Sequence, residues 1–125
     1  MTAGHSRRVG QLAERLARRL ALGRHETATI RLAGLTHDLG LVAVPSYTLG
    51  KPEAQLTRAE QEVLRLHPYH GERILTHVPA LGGVAALVAA HHERFDGGGY
   101  YRGLRGADIP LGARLIAAAD RFDDR

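Results

Sequence analysis

Apolar residues recur three and four apart from His5 to about Leu22, with Val9, Leu12, Ala13, Leu16, Ala17 and Leu20 on one stripe. A period of 3.6 residues gathers such positions on one side of an α-helix, so the spacing predicts an amphipathic helix. His5 sits four residues before Val9, on the inward stripe, while Arg7, Arg15, Arg18 and Arg19 mostly cover the outside and Gly23 is the expected C-cap. A second helix is predicted from Glu26 to His37, ending near Gly40. The segment from Leu41 to Pro52 holds two prolines, Gly50 and the β-leaning Val42, Val44 and Tyr47, and reads as an extended connector.

Thr57 followed by Glu60 matches a capping box and opens a helix to about Leu66. Pro68 suits the first turn of the next helix, through about His77. Pro79 and the Gly82-Gly83 pair mark a boundary, after which Val84, Leu87, Val88 and His91 resume helical spacing. The glycines between Asp96 and Gly106 would each cost a helix interior about 1 kcal/mol, so that segment is a loop. Pro110 opens the last helix, with Leu111, Leu115, Ile116 and Ala119 facing in. The pattern predicts an all-α domain spanning residues 1–125, with about six helices, short links and one glycine-rich loop.

A chain of 125 residues is long enough for one core and too short for two ordinary ones. No apolar run approaches the roughly 18 residues needed to span a bilayer and no signal peptide is evident, which makes a cytoplasmic setting the expectation. The absence of cysteine rules out disulfides, thiolate zinc sites and cysteine nucleophiles, so any metal is held by nitrogen and oxygen. There are eight histidines, Lys51 is the sole lysine, and the formal charge is +4. A basic domain suits an anionic partner. With two Phe, four Tyr and no Trp there are few platforms for stacking bases, so a phosphorylated small molecule is favoured over direct nucleic-acid binding.

Histidines and aspartates mark the ends of the apolar helices: His5, the pair His37-Asp38, His67, the pair His91-His92, and Asp120. A single inward histidine is ordinarily satisfied by a backbone carbonyl. Several imidazoles and two carboxylates converging in one small core are hard to satisfy without a cation. Such ligands suit Fe, Mn, Co, Ni or Zn rather than Ca. A short carboxylate such as Asp38 can bridge two metals, and a metal pair stabilises both the attacking and the leaving oxygens of a phosphoryl displacement. Phosphoester hydrolysis follows as the natural reaction.

The string His37-Asp38-Leu39-Gly40, then Lys51-Pro52, Leu56-Thr57, Glu60, His67-Pro68, Gly71 and the run from His91 to Tyr100 resemble the HD-GYP branch of the HD phosphohydrolases. Ile109-Pro110, Ala113-Arg114 and Ala119-Asp120 continue the match. The resemblance implies an HD-type helical bundle that hydrolyses the bacterial messenger cyclic di-GMP or a related nucleotide. It implies two divalent ions, Fe or Mn first, with Zn, Ni, Co or Mg also admitted. His5, His37, Asp38 and Asp120 would surround one metal, and Asp38 would bridge to a second held by His67, His91 and His92. His37 and Asp38 form the catalytic pair of this reading.

The sequence departs from that pattern in four places. The residue after His-Asp-x-Gly is Leu41 where the family usually has a lysine, and Tyr101 stands in place of the proline of Gly-Tyr-Pro. Met1 stands where three-metal members carry glutamate, which favours two metals. The chain stops at Arg125, before the family's closing helices, which reads as a domain truncated at its C-terminus. Lys51, Arg94, Tyr100 and Arg102 are the candidate substrate-binding residues, while His25, His70 and His77 match no ligand position. The competing expectations are a weak or inactive regulatory module that binds nucleotide or protein, and a general HD nucleotidase or phosphatase. A regulatory or DNA-binding domain elsewhere in a longer chain is compatible with all three.

Overall fold

The computed structural model describes residues 4–123, so the expectations resting on Met1 and Arg125 lie outside the described residues. In chain order the elements are α1 (His5–Arg19), α2 (Arg24–Thr36), a 3-10 segment Leu39–Ala43, the single turn α3 (Ser46–Leu49) and a 3-10 turn Glu53–Gln55. They continue with α4 (Arg58–Arg65), α5 (His67–Thr76), a 3-10 turn Pro79–Leu81, α6 (Gly82–Ala90), a 3-10 turn Gly106–Asp108 and α7 (Leu111–Asp123). Setting aside the one-turn α3, six helices remain among the described residues, with no strand and no helix long and apolar enough to cross a membrane.

The core is built by five helices, α1, α2, α5, α6 and α7. α1 lies on α2 and α7, α2 also touches α6, and α5 packs on α6. Val9, Ala13 and Ala17 of α1 meet Ile30 and Ala33 of α2, Val84 and Val88 of α6, and Ile116 and Ala119 of α7. The α1/α2 contact is a backbone approach: a Cβ on Gly34 would lie 2.7 Å from the Cα of Gly10. The outer part of the α1 stripe stays in solvent, Leu16 and Leu20 being exposed, and so does Leu111 at the start of α7, contrary to its expected inward position.

Two local expectations are corrected. Gly23 does not cap α1; it has extended geometry and precedes α2, while Ala21 takes the left-handed conformation at φ 59°. The N–H of Leu22 donates to Ala17 O and that of Ala21 to Arg18 O, a Schellman closure that turns Leu22 back onto the core. The connector after Gly40 is coiled into 3-10 and helical turns rather than extended. Its β-leaning side chains have no neighbouring strand, so its backbone groups bond locally, as in Leu41 N–H to Asp38 O at 2.9 Å. The capping box of α4 is present, with Thr57 Oγ1 accepting from Glu60 N–H and the Glu60 carboxylate accepting from Thr57 N–H.

Candidate metal centre

All seven candidate ligands converge where the helix ends meet. His5 opens α1, His37 and Asp38 follow the last turn of α2, His67 opens α5, His91 and His92 follow α6, and Asp120 lies in the last turns of α7. They form two groups whose ligand atoms lie within 4.8 Å of one another, His5–His37–Asp120 and His67–His91–His92. Asp38 stands between them. Its Oδ2 lies 3.2 Å from His37 Nε2 and 3.9 Å from His5 Nε2, while its Oδ1 lies 3.5 Å from His67 Nε2.

The helix ends fix which nitrogen of each ring faces inward. His37 Nδ1 bonds Gly34 O at 2.6 Å, His67 Nδ1 bonds Leu64 O at 2.9 Å and His91 Nδ1 bonds Val88 O at 2.6 Å, each to a carbonyl three residues earlier. A carbonyl only accepts, so Nδ1 carries the hydrogen and Nε2 of the neutral ring carries a bare lone pair. The Nε2 atoms of His67 and His91 face each other at 3.2 Å. His37 Nε2 is buried and makes no well-formed hydrogen bond, with the Asp38 and Asp120 carboxylates 3.2 and 3.5 Å away. Opposed lone pairs and an orphaned buried nitrogen are costly by themselves and become favourable around a cation, so these residues fit a divalent metal.

The charge states agree with two unlike halves. Burial pushes the imidazoles of His67, His91 and His92 below their ordinary value, His92 to about 4, which leaves them neutral donors at pH 7. Burial also opposes charge on His37, but the adjacent carboxylates of Asp120 and Asp38 outweigh it and hold the ring up at about 10. Burial would raise Asp120, yet His37 and His5 bring it down to about 2.

Three residues to which the sequence assigned no role support the site. Asp123 accepts from His5 Nδ1 at 2.7 Å and is itself gripped by Arg8, which aims His5 Nε2 at Asp120, 2.9 Å away. Its position three residues after Asp120 on one helix was the available signal. Glu93 is buried and accepts the N–H groups of Arg102 and Leu104, both at 2.8 Å, pinning the glycine-rich loop. Glu72 takes the Tyr101 hydroxyl and, at 3.0 Å, Arg102. Nothing in the spacing of Glu72 or Glu93 announces these tertiary partners.

A cleft of about 580 Å³ opens beside the second histidine group, bounded by His92, Asp120, Tyr100, Arg94, Arg65 and Arg121 among others. Of the expected substrate residues, Tyr100 and Arg94 line this cleft, whereas Lys51 and Arg102 do not. Lys51 is paired 3.0 Å from both oxygens of Glu60, Arg102 is on Glu72, and Arg94 is 3.2 Å from Asp96. The Tyr100 ring is stacked on His92 at 4.8 Å, with the Arg65 guanidinium 5.3 Å from its centre. His25 and His77 are exposed, and His70 lies against Tyr69.

Comparison with known proteins gives this arrangement its context. The chain is 39% identical over 122 residues to 3'3'-cGAMP-specific phosphodiesterase 3 of Vibrio cholerae, covering 98% of this chain and 26% of that protein. It is 38% identical to a cyclic di-GMP phosphodiesterase of Thermotoga maritima, with 98% and 33% covered. It is 40% identical to the cyclic di-GMP phosphodiesterase response regulator RpfG of Xanthomonas campestris, with 98% and 32% covered. The chain thus spans about a quarter to a third of the length of these relatives. The solved structure of Bd1817, an HDG"Y"P protein from Bdellovibrio bacteriovorus, shares the fold at a TM-score of 0.79 and 24% identity, over 95% of this chain and 39% of that one. Residues 1–125 match the HD domain family throughout, and the chain belongs to that family.

Proposed function

We propose that this chain is the phosphodiesterase module of a cytoplasmic enzyme that hydrolyses cyclic di-GMP or a related cyclic dinucleotide such as 3'3'-cGAMP, using two divalent ions, Fe or Mn. The observation that carries the reading is Asp38, which presents one carboxylate oxygen to each of two histidine groups. His5, His37 and Asp120 would hold one ion, His67, His91 and His92 the other, and Asp38 both. Bound there, a metal pair supplies the field that acidifies water and stabilises the attacking and leaving oxygens of a phosphoryl displacement. The protein's own part is orientation: backbone carbonyls hold His37, His67 and His91, and Asp123 holds His5, so that the Nε2 atoms of these four rings turn toward their own ligand group. The loop pinned by Glu93 keeps Tyr100 against His92 and shapes the cleft in which the nucleotide would lie. The three relatives named above support the substrate class. The response-regulator name of one of them supports a regulatory domain elsewhere in a longer chain.

Loading the purified protein with Mn or Fe and adding cyclic di-GMP should give linear dinucleotide. Asp38→Ala should lose bound metal by elemental analysis and at least about a hundredfold in turnover, since one side chain serves both ions. Full metal occupancy in that variant would overturn the site assignment. A regulatory module with little turnover is the second reading. It is favoured by Leu41, which leaves the segment after the His-Asp string without a cation. Turnover that disappears with Asp38→Ala would exclude it, and a panel of phosphoesters separates a cyclic-dinucleotide enzyme from a general nucleotidase or phosphatase.

A further inference from the structure

The cleft beside His92 contains more positive charge than the metal residues account for. Arg65, the last residue of α4, and Arg121, which follows Asp120 on α7, both line it. The other cations considered above are paired: Lys51 with Glu60, Arg102 with Glu72, and Arg94, on the cleft wall, with Asp96. Arg65 and Arg121 are exposed and have no acidic partner among the described residues. Arg65 is also placed, because its guanidinium rests over Tyr100, whose ring is stacked on His92. A cation–aromatic contact holds the planar group while leaving its N–H edges available for an anion.

We propose that Arg65 and Arg121 form a clamp for the phosphodiester that is not being cleaved. The inference rests on the phosphodiesterase reading. A cyclic dinucleotide carries two phosphodiesters. When one lies among the histidines and Asp38, the other keeps its negative charge and must be received by the cleft. Two guanidiniums on the wall, without an acidic partner among the described residues and one of them steadied by the ring stacked on His92, suit that group through charge-assisted, bidentate hydrogen bonds. The clamp is therefore a selector for substrates with a second phosphate, set apart from the residues that would hold metal.

Arg65→Ala, Arg121→Ala and the double variant are compared with Arg19→Ala, an exposed control of equal charge change on α1. Two esters are used, cyclic di-GMP and bis(p-nitrophenyl) phosphate, the latter having one phosphate only. Each cleft variant should lower the ratio of kcat/KM for cyclic di-GMP to that for the small ester by about tenfold, with Arg65→Lys restoring part of it and Arg19→Ala leaving the ratio as in the parent. Equilibrium binding of cyclic di-GMP to the metal-stripped chain, where no turnover interferes, should weaken by a similar factor and fall with added salt. Turnover of both esters with the ratio unaltered in the double variant overturns the clamp and leaves the phosphodiesterase reading standing. No turnover of either ester by the metal-loaded parent sinks the phosphodiesterase reading and with it the assignment of the two arginines to an uncleaved phosphodiester, even where binding still depends on them. Failure of the parent chain to bind cyclic di-GMP overturns both.

Discussion

Glu93 shows how one side chain can govern a segment with no regular structure. Its two oxygens accept the N–H groups of Arg102 and Leu104, and the loop so fastened carries Tyr100, which covers one face of His92. A carboxylate in a buried position can hold two donors that water would otherwise have to reach. Glu93→Ala should therefore destabilise the fold by about 2–3 kcal/mol, the range for losing hydrogen bonds to a charged group. Hydrogen exchange would report the cause directly: the Arg102 and Leu104 amides should lose protection while those of α6 keep theirs. Undiminished protection at both amides would refute this role. The motif that identifies the histidines includes Glu93, yet its adjacency to His92 in sequence says nothing of its partners nine and eleven residues on.

At the scale of elements, the site depends on how closely the 3-10 segment after Asp38 approaches α5. A Cβ added to Gly40 would overlap the His67 carbonyl and press on the Gly71 backbone at 2.7 Å, so only glycine lets these two elements touch. The contact sets the distance between Asp38, on one element, and His67, on the other, which is 3.5 Å from carboxylate to ring nitrogen. Gly40→Ala should cost about 3 kcal/mol through forced separation of backbone that cannot repack. It should also lower the affinity for the ion assigned to His67, His91 and His92 more than for the other, measured as two-step metal release during chelator titration. Equal loss from both would contradict this separation. The same contact explains why the β-leaning connector coils: tethered at Gly40 and facing no strand, its backbone satisfies itself in short turns.

Across the whole molecule, the buried histidines couple stability to pH in the metal-free state. His67, His91 and His92 are held below their usual value by burial, His92 at about 4, whereas the unfolded chain protonates them near 6.5. Between pH 6.5 and about 4 the unfolded state binds more protons, so stability present above 6.5 is lost as pH falls through that window. His37 works in the opposite direction: held up at about 10, it contributes stability below 6.5 that is lost as pH rises toward 10. The metal-free protein should thus be most stable near pH 6.5–7 and lose at least about 1 kcal/mol on going to pH 5, read from urea midpoints. Bound metal should raise the pH 7 midpoint, because the ion would bind the neutral rings of His67, His91 and His92 in the folded state. A midpoint that is constant or rises between pH 7 and 5 would refute the burial of neutral histidines.

The sequence alone determined the all-α class, most helix boundaries, the capping box at Thr57 and the seven residues at the helix ends. These are local properties: apolar spacing, caps and glycine or proline breaks act within a few turns, and the pairs His37-Asp38 and His91-His92 fall at the ends of patterned helices. Only the tertiary structure decided which cations face the cleft. Lys51 and Arg102 are drawn to Glu60 and Glu72, Arg94 lies in the cleft wall beside Asp96, and Arg65 and Arg121 line the cleft with no acidic partner among the described residues. It also revealed Asp123 behind His5 and Glu93 beneath the loop. A long charged side chain reaches whichever partner the packing of distant helices brings near, and no period along the chain encodes that choice.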